Sequence, residues 1–107
     1  MNTFEKSVVF SFKDSVVYAE SGVVSRQVMK NKKGNVTLFA FSKGEGLSEH
    51  TAPFDALVQI VDGTAAIVIG GQRFTLTEGQ SIIMPANIPH AVEAPERFKM
   101  VLTMIRP

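Results

Sequence analysis

The sequence predicts an all-β domain built as a barrel or a sandwich. Its apolar residues come in short groups that are rich in Val, Ile and Phe, and Gly, Pro and Asn separate these groups. Turn signals recur about every eight to twelve residues from Lys43 onward, a spacing that is typical of small all-β folds. These features favour strands joined by tight turns over helices.

Strand segments are predicted where short groups of β-branched and aromatic residues are bounded by turn residues. Residues 23–29 and 8–12 are the candidates nearest the N-terminus. Residues 14–22 fit either one helical turn or a short edge strand, because periodicity cannot decide over so few residues. The later strands are predicted at residues 36–41, 57–61, 65–69, 74–76, 82–84 and 98–105.

Glycines mark the predicted turns. Gly70-Gly71 separates two apolar groups, and two adjacent glycines can adopt the positive φ angles that a two-residue hairpin demands. Asp62-Gly63-Thr64 and Glu78-Gly79-Gln80 are predicted to be turns as well.

The last predicted strand has two distinct faces. One face is wholly apolar and contains Met100 and Met104, while the other carries Val101 and Ile105 among polar residues. We expect the mixed face to meet a second sheet or a second subunit, and therefore predict a homodimer. Met84, Met100 and Met104 either line a cavity or fill the core, and the core is favoured because thioethers fill irregular gaps.

A length of 107 residues fits one domain that can bury its own core. Residues 1–22 are assigned to an N-terminal arm or edge strands, and residues 36–105 to the barrel. The absence of cysteine excludes disulfides, thiolate metal sites and cysteine nucleophiles, and it favours a cytoplasmic location.

Charge patterning argues against nucleic-acid and membrane partners. Eleven basic and ten acidic residues are scattered along the chain. The one basic run, Lys30 to Lys33, leads into Gly34-Asn35 and is predicted to be a solvated turn. No apolar stretch is long enough to span a membrane as a helix, and the N-terminus lacks the pattern of a secretory signal.

The two histidines of the chain each lie within a longer pattern. His50 has Gly44 before it and Gly63 after it, at the spacing of a pattern that places a second histidine at position 52 and a glutamate at position 56. Here both of these positions are alanine. This stretch resembles the first signature motif of the cupin superfamily.

The second stretch contains Gly79, Pro85 and His90, and it resembles the second cupin motif. Asn87 replaces a motif glycine, which is a mild change because asparagine tolerates left-handed backbone angles. Ala94 replaces the motif asparagine. The resemblance implies a double-stranded β-helix, or jelly-roll, barrel with the motif histidines pointing inward. The amino-acid sequence around both motifs is similar to that of small single-domain bacterial cupins.

The resemblance also implies a divalent metal held by three histidines and one glutamate, of which only His50 and His90 remain. Two imidazoles fall below the three protein ligands of a usual catalytic zinc site, so any Zn, Ni, Fe or Mn would be held weakly. By strand parity Glu49 points away, and Asp55 reaches inward only if a bulge resets the register. Alternatively, both histidines are neutral imidazoles that satisfy backbone groups.

The two alanines enlarge the expected interior and make it more apolar, which suits a small organic ligand. We therefore predict a small-molecule site between His50 and His90. Its expected lining is Ala52, Ala56, Val58, Met84, Met100 and Met104. Catalysis stays open, with a metal-dependent dioxygenase or isomerase and a metal-free enzyme resembling sugar epimerases as the alternatives.

Overall fold

The computed structural model describes residues 4–107, which form an all-β fold of eight strands. Every strand pairing in the described range is antiparallel, as is usual where short turns connect neighbours. Among these residues no helix has the length and apolarity needed to cross a membrane. The strands are β1 (Val23–Asn31), β2 (Gly34–Phe41), β3 (Gly46–His50), β4 (Ala56–Ile69), β5 (Gln72–Thr77), β6 (Ser81–Met84), β7 (His90–Glu93) and β8 (Phe98–Ile105).

The strands form two sheets that share β4. In the first sheet the order is β1-β2-β8-β4-β6, and only the first part of β4 takes part. In the second sheet the order is β5-β4-β7-β3, and here the last part of β4 is paired. One strand that passes from sheet to sheet closes a corner of the barrel.

The predicted turn at Asp62-Gly63-Thr64 is wrong, because these residues lie inside β4. The pairing of β4 with β8 shifts register between Ile60 and Asp62, and Gly63 has a φ of 78°. A Cβ at Gly63 would overlap the backbone carbonyl of Arg97. Glycine is therefore needed where β4 bends and passes close to the backbone of Arg97. From the sequence alone, such a glycine cannot be distinguished from one that marks a turn.

The other glycine predictions are confirmed. Gly70 and Gly71 join β4 to β5 with φ angles of 56° and 82°, the signs that a two-residue type I′ turn requires. Gly79 has a φ of 91° in the turn between β5 and β6. Asn87 has a φ of 65°, as expected for asparagine in place of the motif glycine.

The main core lies between the two sheets. Phe41 and Phe98 are fully buried there, with stacked rings whose centroids are 4.5 Å apart. Alternate residues of β4 and β8 supply most of the remainder. Met84 and Met100 belong to this core, as the thioether argument favours.

The N-terminal segment of residues 4–22 lies outside the sheets and covers part of the outer face of the first sheet. Val16 is buried there against Leu38, Ala40 and Val101. The strand predicted at residues 8–12 is wrong, and residues 14–22 form neither helix nor strand. Val101 was expected to contact a second sheet or a second subunit. In the structure it packs against the N-terminal segment of its own chain.

A polar cluster fastens this arm to the bend of β4. The Tyr18 hydroxyl donates a 2.6 Å hydrogen bond to Asp62 Oδ2, and the guanidinium of Arg97 lies 4.3 Å from the centre of the Tyr18 ring. The hydroxyl contact, with help from the nearby Lys13 ammonium, lowers the pKa of Asp62 despite its partial burial. Burial, reinforced by Asp62, raises the pKa of Tyr18.

Candidate functional site

Strands β3 and β7 bring the side chains of the two histidines into contact. His50 and His90 are direct cross-strand partners. Leu47 pairs with Val92, which lies two residues further along β7. A bulge between Leu47 and His50 adds one residue to β3, so Leu47 and His50 share a face although they are three positions apart. Since Leu47 and Val92 pack in the main core, this face is the interior one.

The two imidazole rings are in contact. Their Nε2 atoms are 3.2 Å apart, while the ring centroids are 4.4 Å apart with the planes inclined at 70°. The rings therefore tilt towards each other with the nitrogens at the near edges. His90 is buried and His50 is exposed, so solvent reaches the pair from the His50 side. A ligand cannot lie between the rings, and it would have to meet the pair from that open side.

Backbone carbonyls orient both rings. His50 Nδ1 lies 2.8 Å from the Ser48 carbonyl oxygen, and His90 Nδ1 lies 3.1 Å from that of Ile88. A carbonyl only accepts, so each Nδ1 carries the hydrogen and donates it. In a neutral imidazole this leaves Nε2 with a bare lone pair. Two lone pairs then converge at 3.2 Å, an arrangement that repels unless a proton on one Nε2 or a bound cation lies between them.

The loops beside the histidines are tied together. The Asn87 N–H donates a 2.7 Å hydrogen bond to the Ala52 carbonyl, and the Ala86 N–H donates one of 2.8 Å to Asp55 Oδ1. These bonds join the loop that follows His50 to the loop that precedes His90. Asp55 thus accepts a hydrogen bond from a backbone N–H and is exposed. It does not take the inward orientation that a bulge would have given it as a possible ligand.

The other predicted site residues lie mainly in the core. Ala56, Val58, Met84 and Met100 belong to the main buried cluster, and Met104 packs against it half-buried. Ala52 is half-buried in the loop after His50. That these six residues contact a ligand stays a prediction.

The histidine pair fits two ligands of one metal ion. Two nitrogens that bind the same zinc at about 2.0–2.1 Å in tetrahedral geometry lie roughly 3.3 Å apart, close to the 3.2 Å between the Nε2 atoms. Within residues 4–107, however, no cluster of three or more His, Cys, Asp or Glu side chains is suited to a metal. Glu49 is exposed and adds no third ligand. Any ion would be held by two protein donors.

Sequence reasoning missed the strands that carry the histidines. Neither β3 nor β7 was predicted, because each has only four or five residues and β3 consists largely of polar and glycine residues. The bulge in β3 leaves no recognisable trace in the sequence. The spacing of the motif glycines and histidines was the one signal that pointed to this part of the chain.

A family model for the cupin domain (Cupin_2) matches residues 37–106, about two thirds of the chain. The chain belongs to the cupin family. The matched range contains both histidine strands and every strand of the two sheets except β1 and the first residues of β2. No curated protein matches this cupin.

Solved structures agree with the family. A protein of unknown function from Streptococcus pyogenes is 35% identical to this cupin, with a TM-score of 0.92 over 97% of this chain and 91% of that one. A cupin 2 conserved barrel domain protein from Leptotrichia buccalis is 40% identical, with a TM-score of 0.87 over 91% of this chain and 47% of that one. Salicylate 1,2-dioxygenase from Pseudoaminobacter salicylatoxidans shares the fold at 14% identity, with a TM-score of 0.73 over 78% of this chain and 25% of that one. The cupin neighbours thus extend from proteins of unknown function to dioxygenases.

Proposed function

We propose that this cupin binds a small, carboxylate-bearing molecule at the mouth of the barrel, through a divalent cation held weakly by His50 and His90. The observation that carries the proposal is the approach of the two Nε2 atoms to 3.2 Å while both Nδ1 atoms face carbonyl oxygens. The converging lone pairs are stabilised by a proton or by a metal cation, and the proposal assigns this place to a divalent ion.

Two protein donors make a weak but open site. Zinc sites with fewer than four protein ligands fill the remaining positions with water or substrate. A divalent ion here would supply positive charge and free positions for an anionic donor, while Ala52 and Ala56 supply no competing ligand. The exposure of His50 gives such a molecule access from solvent.

The two histidines have different parts in this proposal. His90 is 4% exposed and is fixed by the Ile88 carbonyl, so it anchors the site from inside. His50 lies at the surface and completes the pair from outside. Carbonyl oxygens rather than carboxylates orient both rings, so nothing on the rings resembles the carboxylate-oriented histidine of an acid/base catalyst. These features support binding over catalysis.

The test uses protein purified without a histidine tag, titrated with Zn²⁺, Ni²⁺, Mn²⁺ or Fe²⁺ in a calorimeter. We expect about one ion to bind per chain, and expect His50→Gln to abolish that binding, because one imidazole alone holds these ions poorly. Glu49→Gln is the matched control, since it alters the adjacent exposed side chain and should leave binding unchanged.

A second titration tests the ligand class. Oxalate and acetate should bind measurably to the metal-loaded wild type, and neither should bind to His50→Gln. Metal binding that survives in His50→Gln would refute the cation site. Carboxylate binding that is equal with and without metal would refute the proposed role of the ion.

A further inference from the structure

Polar side chains occupy the part of the inner face of the first sheet that lies at the start of β2. In β2, Phe39 packs against the main core, whereas Val36 and Leu38 pack outward against the N-terminal segment. Alternation along the strand therefore turns the side chains of Asn35 and Thr37 inward as well. Both residues are half-buried, so the inner face changes from apolar to polar towards the start of this strand.

Two residues of β1 extend this polar surface. Gln27 pairs with Thr37, and Lys30 pairs with Asn35 after the bulge in β1. Cross-strand partners share a face, so the side chains of Gln27 and Lys30 also lie on the inner side. Lys30 was predicted to lie in a turn, but it belongs to β1. The four residues are called the polar strip below: Gln27, Lys30, Asn35 and Thr37.

The polar strip lies at the same end of the barrel as the histidine pair. Residues 51–55 connect His50 to Ala56, and a loop this short keeps the two strand ends together. Ala56 pairs with Met104 of β8, and Met104 pairs with Asn35 of β2. The row of paired residues thus leads from the end of the barrel that holds His50 to the polar strip.

Strand β2 faces β3 across the interior. From the shared strand β4, the first sheet continues through β8 to β2, and the second continues through β7 to β3. Packed sheets lie about 10 Å apart. The polar strip is therefore opposite the strand that carries His50, and one small molecule can reach from the histidine pair to the strip.

The polar strip offers hydrogen-bond donors and a positive charge. Thr37 Oγ1 donates a 3.3 Å hydrogen bond to Asn35 Oδ1, which leaves the Asn35 NH₂ group to donate to another acceptor. Within residues 4–107 no carboxylate lies within salt-bridge distance of Lys30. An amide donor and an ammonium on neighbouring strands suit the oxygens of an anion.

We propose that the ligand is a short dicarboxylate, with one carboxylate on the divalent ion at the histidine pair and the other held by Asn35 and Lys30. This inference rests on the proposed function and adds a second point of attachment to it. A monocarboxylate with the same carbon chain would make only the contact with the ion. Asn35 and Lys30 would therefore determine the specificity of the site.

Calorimetric titration of the zinc-loaded, untagged full chain with succinate and with butyrate tests the proposal. The two molecules have carbon chains of equal length, and butyrate has a methyl group where succinate has its second carboxylate. We expect succinate to bind about tenfold more tightly, because the second carboxylate gains charge-assisted hydrogen bonds. Lys30→Gln and Asn35→Asp should each remove most of this preference. Lys32→Gln is the matched control, since it makes the same change of charge in the turn after β1 and should keep the preference.

Zinc binding shows whether each variant keeps the fold and the cation site. Lys30 is exposed, and Asn35→Asp retains an acceptor for Thr37, so both variants should bind zinc as the wild type does. Equal binding of succinate and butyrate to the zinc-loaded wild type would overturn the dicarboxylate assignment and leave the cation site standing. A preference for succinate that survives both substitutions would overturn it as well. A wild type that binds no zinc would overturn this inference together with the proposed function.

Discussion

Replacing Tyr18 by phenylalanine removes one hydroxyl and keeps the aromatic ring near the Arg97 guanidinium and the Lys99 ammonium. The hydroxyl donates at 2.6 Å to Asp62, an ionised acceptor. A hydrogen bond to a charged group contributes about 1.5–3 kcal/mol to stability. Because the Asp62 side chain is 25% exposed, water replaces part of the lost contact. We expect a loss of about 1–1.5 kcal/mol at neutral pH, which lowers the melting temperature of a domain of this size by roughly 4–12 °C.

The pH dependence of this loss follows from the two pKa shifts. The pKa of Asp62 is lowered by folding, so its stabilising contribution is complete above about pH 4 and disappears as the pH falls below that value. The pKa of Tyr18 is raised by folding, so its contribution is complete below about pH 10 and is lost as the pH rises further. The difference between wild type and Tyr18→Phe should therefore be constant between these limits and shrink at both ends.

Urea unfolding at several pH values measures the difference. The chain contains one tyrosine and no tryptophan, so near-ultraviolet phenolate absorbance reports the ionisation of Tyr18 alone. Folded protein should ionise at higher pH than protein in urea. A stability difference that is the same at acid, neutral and alkaline pH would refute the reasoning, as would a Tyr18 that ionises identically in folded and unfolded protein.

Three further substitutions test the fold. Gly63→Ala should lower the free energy of unfolding in urea by more than about 3 kcal/mol, since it combines an unfavourable φ with a backbone overlap. Gly71→Ala has a similar φ in open space and should lower it by about 1 kcal/mol. Equal losses in the two variants would contradict the bend in β4. Asn87→Gly should raise the free energy of unfolding by up to about 1 kcal/mol, because glycine relieves the positive φ, and a clear loss would argue against that backbone angle. Phe98→Ala should cost about 3–5 kcal/mol by emptying the space beside Phe41, and a loss under 1 kcal/mol would mean that the stacked pair is not in the core.

The sequence was informative where local chemistry determines local structure. Gly70-Gly71 predicted its hairpin because few other residue pairs tolerate two positive φ angles, and residues 98–105 were predicted as the strand that the structure contains. Alternation of apolar and polar residues is strong in that strand because it runs between a core and an outer face. The cupin fold followed from the spacing of the motif residues.

Long-range contacts explain the errors. Asp62-Gly63-Thr64 has the composition of a turn, but these residues form a bent part of β4 because the strand pairs with β8 there. Residues 8–12 have strand composition, yet Val16 and the aromatic residues of the arm pack onto a sheet without pairing with it. The contact between the two imidazole rings depends on the bulge in β3, and no local pattern reports that extra residue.

Strand β4 forms ladders with β5, β6, β7 and β8, which is more partners than any other strand of the described chain has. Because β4 is an interior strand of both sheets, local opening of one sheet at β4 must disrupt the other. The amide hydrogens of β4 should therefore exchange with solvent only when the whole domain unfolds. A backbone cut at Gly63 would leave two fragments, neither of which contains all the strands of either sheet.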